Sequence, residues 1–299
     1  WNALRAVASD AASRYATAEP IAFDAYVQAV TLACIFRTLF DAPVKPDALK
    51  LHDLVRVGRG ITTLWNHSKT SLEPHPDELL EVNHHLRRWL RPDGDGTPGL
   101  SRDDEHWTLR ADENPLEFLV PAFETLWRVV AISYAHALPR ADWSQPFLAL
   151  ASTTNIRLAS FKTTTQTPSA PNLSVESYIN EVLRVYPPTR RIARLDPNSG
   201  LDIIKASVEL AQRDTAIWGR TANTFDPARP IVSGKLLAFG AKPLKCPGAS
   251  WAPQAAGVIV AALLATQHVD VQRGAKVGGR DGWDGWLVRR SREKAALGQ

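Results

Sequence analysis

The chain holds 299 residues, 44% of them hydrophobic, and its 35 lysines and arginines against 31 acids leave a net charge of +4. The basic residues come in ones and twos rather than in blocks, which excludes the electrostatic footprint of a nucleic-acid-binding protein. Two cysteines, Cys34 and Cys246, lie far apart in apolar surroundings, which argues against a disulfide framework and points to a reducing compartment.

Size permits one large core. Residues 1 to about 40 read as two helices, the second running roughly from Ile21 to Phe40, with Cys34 on its apolar face as a core residue. Helices are expected over Leu51 to His67 and over about Asp77 to Leu90. In the latter, His84 and His85 are adjacent and point to different faces, so a solvated face is expected rather than a metal pair. Pro, Gly and charge mark residues 91–113 as an exposed loop. Asn114 and Pro115 then open the longest and most apolar helix, which Pro139 ends. Inside it Pro121 predicts a kink, while Glu124 and Thr125 place an acid and a hydroxyl where burial would be costly without a purpose.

A Thr- and Pro-rich connector, Thr163 to Asn172, precedes a helix capped by Ser174 and stopped by Pro187 and Pro188. Strands are expected from 192 (IARLD) and 206 (ASVELAQ), then a loop, then an apolar helix from Ala255 to Ala265. The fold class expected is mainly α with a minor β-sheet. No uninterrupted apolar run spans a bilayer and no signal peptide is visible, so a soluble chain is expected. Methionine is absent and the chain opens on Trp1, so the start shown need not be the start made.

The stretch Leu237 to Ala252, LAFGAKPLKCPGASWA, sets Cys246 in a glycine-punctuated loop before an apolar run. Such a loop suits a thiolate held against a metal centre, with an inert buried cysteine as the plainer alternative. With three further signatures in order, the chain resembles cytochrome P-450, the haem-thiolate monooxygenase family, in its fungal-type members. Phe239-Gly240 through Cys246-Pro247-Gly248 resembles the family's cysteine loop, and Glu181-Val182-Leu183-Arg184 its ExxR helix. Phe225 to Arg229 resembles its meander, and Glu124-Thr125 the acid–threonine pair of its central helix.

The resemblance implies Cys246 as the axial iron ligand, Thr125 holding oxygen and water by hydrogen bonds, and Glu124 feeding protons. It implies haem b (iron protoporphyrin IX), with Phe239, Gly240, Lys245 and Gly248 around it. Trp1 and Arg5, in WxxxR spacing, and Arg191 are implied as propionate contacts. Glu181 and Arg184, one turn apart, can pair, and Arg229 could complete a structural triad.

Two departures fall in the cysteine loop, where Lys242 replaces a glycine and Leu244 a basic residue. If Trp1 opens the family's C helix, the fold is amino-terminally truncated: one P-450-like domain, 1–299, from the C helix to the carboxyl terminus, with a homo-oligomer as one way to cover the missing part. The implied activity is oxidation of a small apolar secondary metabolite with an NADPH-dependent reductase, in the cytoplasm or on the cytoplasmic face of the endoplasmic reticulum. The alternative is a redox-independent cyclase or isomerase, with or without haem, such as a pericyclase, or a binding protein reusing the same pocket.

Overall fold

The computed structural model describes residues 1–40, 44–68, 76–90, 116–167, 170–196, 199, 202–230, 234–243 and 245–291. The exposed loop expected over 91–113, the cap at Asn114 and Pro115, and Leu244 lie outside them. Two compact units emerge. One, the amino-terminal unit, gathers Ala6–Trp127 with His268–Gln272 and Gly285–Gln299; the other, the carboxyl-terminal unit, gathers Trp1–Arg5, Arg128–Gln267 and Arg273–Asp284.

The amino-terminal unit is built on helices. Helix α1 (Asn2–Tyr15) supplies all but its first turn, and the strand β1 (Ile21–Ala22) leads into α2 (Phe23–Cys34). The second helix expected from Ile21 therefore starts two residues later, because Ile21 and Ala22 pair with a late strand. Its apolar face is as wide as the sequence implies: Phe23 and every residue from Ala25 to Cys34 are buried, and burial pushes the Cys34 thiol well above its usual range. A π-helical turn over Ile35–Leu39 ends it.

Helix α3 (Leu51–His67) matches its expected bounds, and α4 (Pro76–Leu90) begins one residue early. The two approach closely at Gly60, where a Cβ would overlap Val82. Arg56 clamps the seam, donating to Glu78 at 2.6 Å and to Glu81 at 2.6 Å, while Arg88 donates to Asp53 at 2.9 Å. Helix α5 (Leu116–Ala137) supplies its first half here, including Pro121.

The carboxyl-terminal unit takes the second half of α5 and then α6 (Ala141–Ser152), a helix the sequence reading did not single out. The stretch read as a connector forms a hairpin of β2 (Thr165–Thr167) and β3 (Ala170–Leu173), in which Asn172 takes a positive φ of 65°. Helix α7 (Val175–Val185) starts at Ser174, whose Oγ accepts from the Ser177 amide at 3.1 Å. Strands β4 (Arg191–Leu195) and β5 (Ile203–Ser207) pair antiparallel. Only the start of the second expected strand is extended: Ser207 caps α8 (Val208–Gln212), so VELAQ is a helical turn rather than strand.

Helix α9 (Thr215–Trp218) precedes the meander, and α10 (Ala252–Ala265) forms the centre of the unit, buried from Ala255 to Leu263. It packs on α6 and α7. Gly257 permits the latter contact, since a Cβ there would lie 2.6 Å from Val175 Cγ1. Strands β6 (Val269–Gln272) and β7 (Leu287–Arg290) return to the amino-terminal unit as the sheet β1-β7-β6. The architecture is mainly α with small sheets, as expected. Among the described residues, no helix is long and apolar enough to cross a membrane.

Candidate active site

The cysteine loop is shaped by backbone hydrogen bonds. The Gly240 amide donates to the Leu237 carbonyl at 2.9 Å in a turn that puts Gly240 at φ 70°, a conformation glycine takes without strain. The Cys246 amide then donates to the Phe239 carbonyl at 2.8 Å, closing the loop on itself. Buried Gln212 anchors it from α8, its Oε1 accepting from the Leu237 amide at 3.0 Å. Pro247–Ser250 follow as a 3-10 turn that feeds α10.

This geometry leaves Cys246 exposed, so the alternative of an inert buried cysteine does not hold. A Cβ on Gly248 would stand 3.5 Å from the Cys246 sulfur, so the glycine keeps the flank of the thiol open. Lys242 and Lys245 are exposed, and Phe239 and Gly240 half-buried. A haem group fits this donor set: one accessible thiol on a glycine-turned loop would suffice as the protein's ligand to an iron whose nitrogen ligands come from its own macrocycle. Among the described residues, no cluster of three or more His, Cys, Asp or Glu is placed to hold a metal ion by itself.

The carboxyl-terminal unit also contains Trp1, Arg5 and Arg191. Trp1 packs edge-on against Phe161 at 5.7 Å. Arg5 turns its guanidinium to the carbonyl end of α6, Nη1 donating to the Ala151 carbonyl at 2.8 Å and to that of Thr153. Arg191 is exposed at the start of β4.

Glu181, Arg184 and Arg229 form the expected triad. Arg184 Nε and Nη2 each donate to Glu181 at 2.7 Å, and Arg229 Nε donates to it at 3.3 Å. Glu181 and Arg184 have no solvent exposure. The remaining donors of the arginines go to main-chain carbonyls: Arg184 to Gln212 at 2.8 Å and Ala222 at 2.6 Å, Arg229 to Trp218 at 3.2 Å and Thr221 at 2.9 Å. The charges are thus paired and the meander is tied to α7, which is what makes such burial tolerable. Arg184 also lies 5.2 Å from the Trp218 ring centroid.

Glu124 and Thr125 belong to the amino-terminal unit. Glu124 is buried, and its Oε2 accepts from Thr62 Oγ1 of α3 at 3.0 Å and from Trp127 Nε1 at 3.4 Å. The Thr125 hydroxyl donates to the Pro121 carbonyl at 3.2 Å. Sequence reasoning missed Thr62, for which no local spacing offers a signal. The Trp127 contact is one helical turn from Glu124 and was legible as an i, i+3 pair.

A second unforeseen cluster centres on His136. It stacks on Phe225 at 4.6 Å and meets the Tyr186 hydroxyl at 3.2 Å, and burial, helped by the positive Arg273, lowers its pKa to about 4. A cavity of about 310 Å³ beside it is lined by Arg140, Trp143 and Thr221 among others, but not by Cys246.

No family model matches the chain. A curated cytokinin hydroxylase of Arabidopsis thaliana is 34% identical over 114 residues, which is 33% of this chain and only 22% of that protein. Among solved structures, a six-coordinated cytochrome P-450 from Thermus thermophilus superposes with a TM-score of 0.59 at 19% identity, covering 97% of this chain and 74% of that one. A cytochrome P-450 haem domain gives 0.59 at 14% identity, covering 98% of this chain and 71% of its own. A CYP protein from Streptomyces sp. ATCC 11861 gives 0.56 at 19% identity, covering 96% and 70%. Likeness at this identity speaks for the backbone alone, and on that ground the chain has the cytochrome P-450 fold.

Proposed function

We propose that the protein is a haem-thiolate monooxygenase acting on a small apolar secondary metabolite, as one P-450-like domain over 1–299. The observation that carries this reading is the exposed Cys246 on a loop closed by the Phe239 carbonyl. Cys246 would hold haem through its thiolate, with Phe239, Gly240 and Gly248 shaping the loop beside it. Lys245, Arg191, Trp1 and Arg5 are the polar and aromatic groups proposed for the haem edge, Arg5 with the donors that α6 leaves it. When bound, thiolate-ligated haem supplies the chemistry of dioxygen cleavage.

The chain's own residues handle protons and water. Overall, a C–H bond and dioxygen, with two electrons from an NADPH-dependent reductase and two protons, give an alcohol and water. Glu124 hands protons inward, a role that its burial and the hydrogen bonds from Thr62 and Trp127 support, because a held carboxylate transfers a proton along a defined direction. The Thr125 hydroxyl, donating to Pro121 in the same helix, keeps its lone pairs available to accept from water. The fungal-type character, and the apolar class of the substrate, rest on sequence alone.

The test is a ferrous carbon-monoxide difference spectrum on the purified chain supplied with haemin. A red-shifted Soret band that disappears in Cys246→Ala supports thiolate ligation. Absence of that band in the unaltered chain overturns the reading.

A further inference from the structure

Helix α3 presses unusually close to the helices beside it. At Gly58 a Cβ would stand 3.0 Å from Gln28 Oε1, the end of a flexible side chain, and 3.4 Å from the ring of Phe123, so α3 lies in close contact with α2 and α5 at this turn. Thr62 lies one turn further along the same face of α3, as Glu124 lies next to Phe123 on α5. The close approach at Gly58 therefore delivers the Thr62 hydroxyl to the Glu124 carboxylate, with Oγ1 3.0 Å from Oε2. Trp127 Nε1, one turn along α5, converges on the same oxygen at 3.4 Å.

From this geometry we infer that Thr62 is a positioning residue for Glu124: α3 gives the carboxylate a hydrogen bond from outside its own helix, and displacement of α3 removes that hydrogen bond and shifts the carboxylate. The inference deepens the proton-delivery role proposed for Glu124 and rests on that reading. Trp127 moves with Glu124 because both sit on α5. Thr62 does not, so the carboxylate answers to the position of a second helix. Arg56, on the same α3, is clamped to Glu78 and Glu81, so a shift of α4 also reaches the carboxylate through α3.

The experiment uses the full chain with Thr62→Val, which keeps shape and removes the donor, Thr62→Ser, which restores it, and Gly58→Val, which wedges α3 outward. In the chain without haem, infrared difference spectra against Glu124→Gln isolate the carboxylate stretch of Glu124. That band shifts in Thr62→Val and in Gly58→Val and returns in Thr62→Ser. A double-mutant cycle of Thr62→Val with Glu124→Leu on urea unfolding shows coupling of about tenfold in the folding equilibrium. An unmoved band in Thr62→Val, or no coupling, overturns the inference.

With haem loaded, the C–O stretch of the ferrous carbon-monoxide complex reads the polar groups near the ligand and needs no substrate. Thr62→Val moves it in the same sense as Glu124→Gln, and Thr62→Ser restores it. If Glu124→Gln moves the stretch and Thr62→Val does not, the positioning role fails while the proposed function stands. If Glu124→Gln leaves it unmoved, the role of Glu124 fails, and the inference with it.

Discussion

Glu181 receives two hydrogen bonds of 2.7 Å from Arg184, its neighbour one helical turn away, and neither side chain meets solvent. The pair pins α7 to the end of α8 and to the turn before the meander through the carbonyls of Gln212 and Ala222, so it carries fold rather than chemistry. Arg184→Ala would leave a buried carboxylate with less of its charge compensated and two carbonyls without their donor. We expect a loss of about 3–5 kcal/mol in urea unfolding, and retention of wild-type stability would contradict the assignment.

Cys246→Ala should behave in the opposite way. The side chain is exposed and the loop is closed by its backbone amide, which alanine keeps. Unfolding of the haem-free chain should change by no more than about 0.5 kcal/mol. A large loss would mean that the thiol is structural.

His136 makes stability depend on pH. Its folded pKa is lowered to about 4 by burial and by Arg273, from a usual value near 6.5 in the unfolded chain, so the unfolded state binds more protons between these two values. Stability from this group is therefore complete above about pH 6.5 and falls as pH drops toward 4, by about 3 kcal/mol in all. In His136→Phe, which keeps a ring to stack on Phe225, thermal melts should lose this slope. An unchanged slope would place the titration elsewhere.

Gly257 sets the distance between α10 and α7. A Cβ at this position would come within 2.6 Å of Val175 and 3.5 Å of Phe161, and no flexible side-chain end is there to yield. Gly257→Ala should cost about 1–3 kcal/mol by overpacking, despite alanine's better helix propensity. A pairing with Val175→Ala should recover part of the loss in the same unfolding assay.

What the sequence by itself determined is local. The bounds of α3, the Ser174 cap, the Glu181–Arg184 pair and the turn at Gly240 all depend on residues within one or two turns, where spacing and side-chain type dictate geometry. Arg229 could be named only through the resemblance, since it meets Glu181 from 48 residues away. Tertiary structure decided where local signals conflict or end. Ile21 and Ala22 left their helix because β7 offered pairing, the 163–172 stretch became a hairpin, and VELAQ curled behind the Ser207 cap. The Thr62 contact to Glu124 was beyond any local pattern, because Thr62 reaches the carboxylate only where α3 packs against α5, and that contact is a property of packing, not of spacing along the chain.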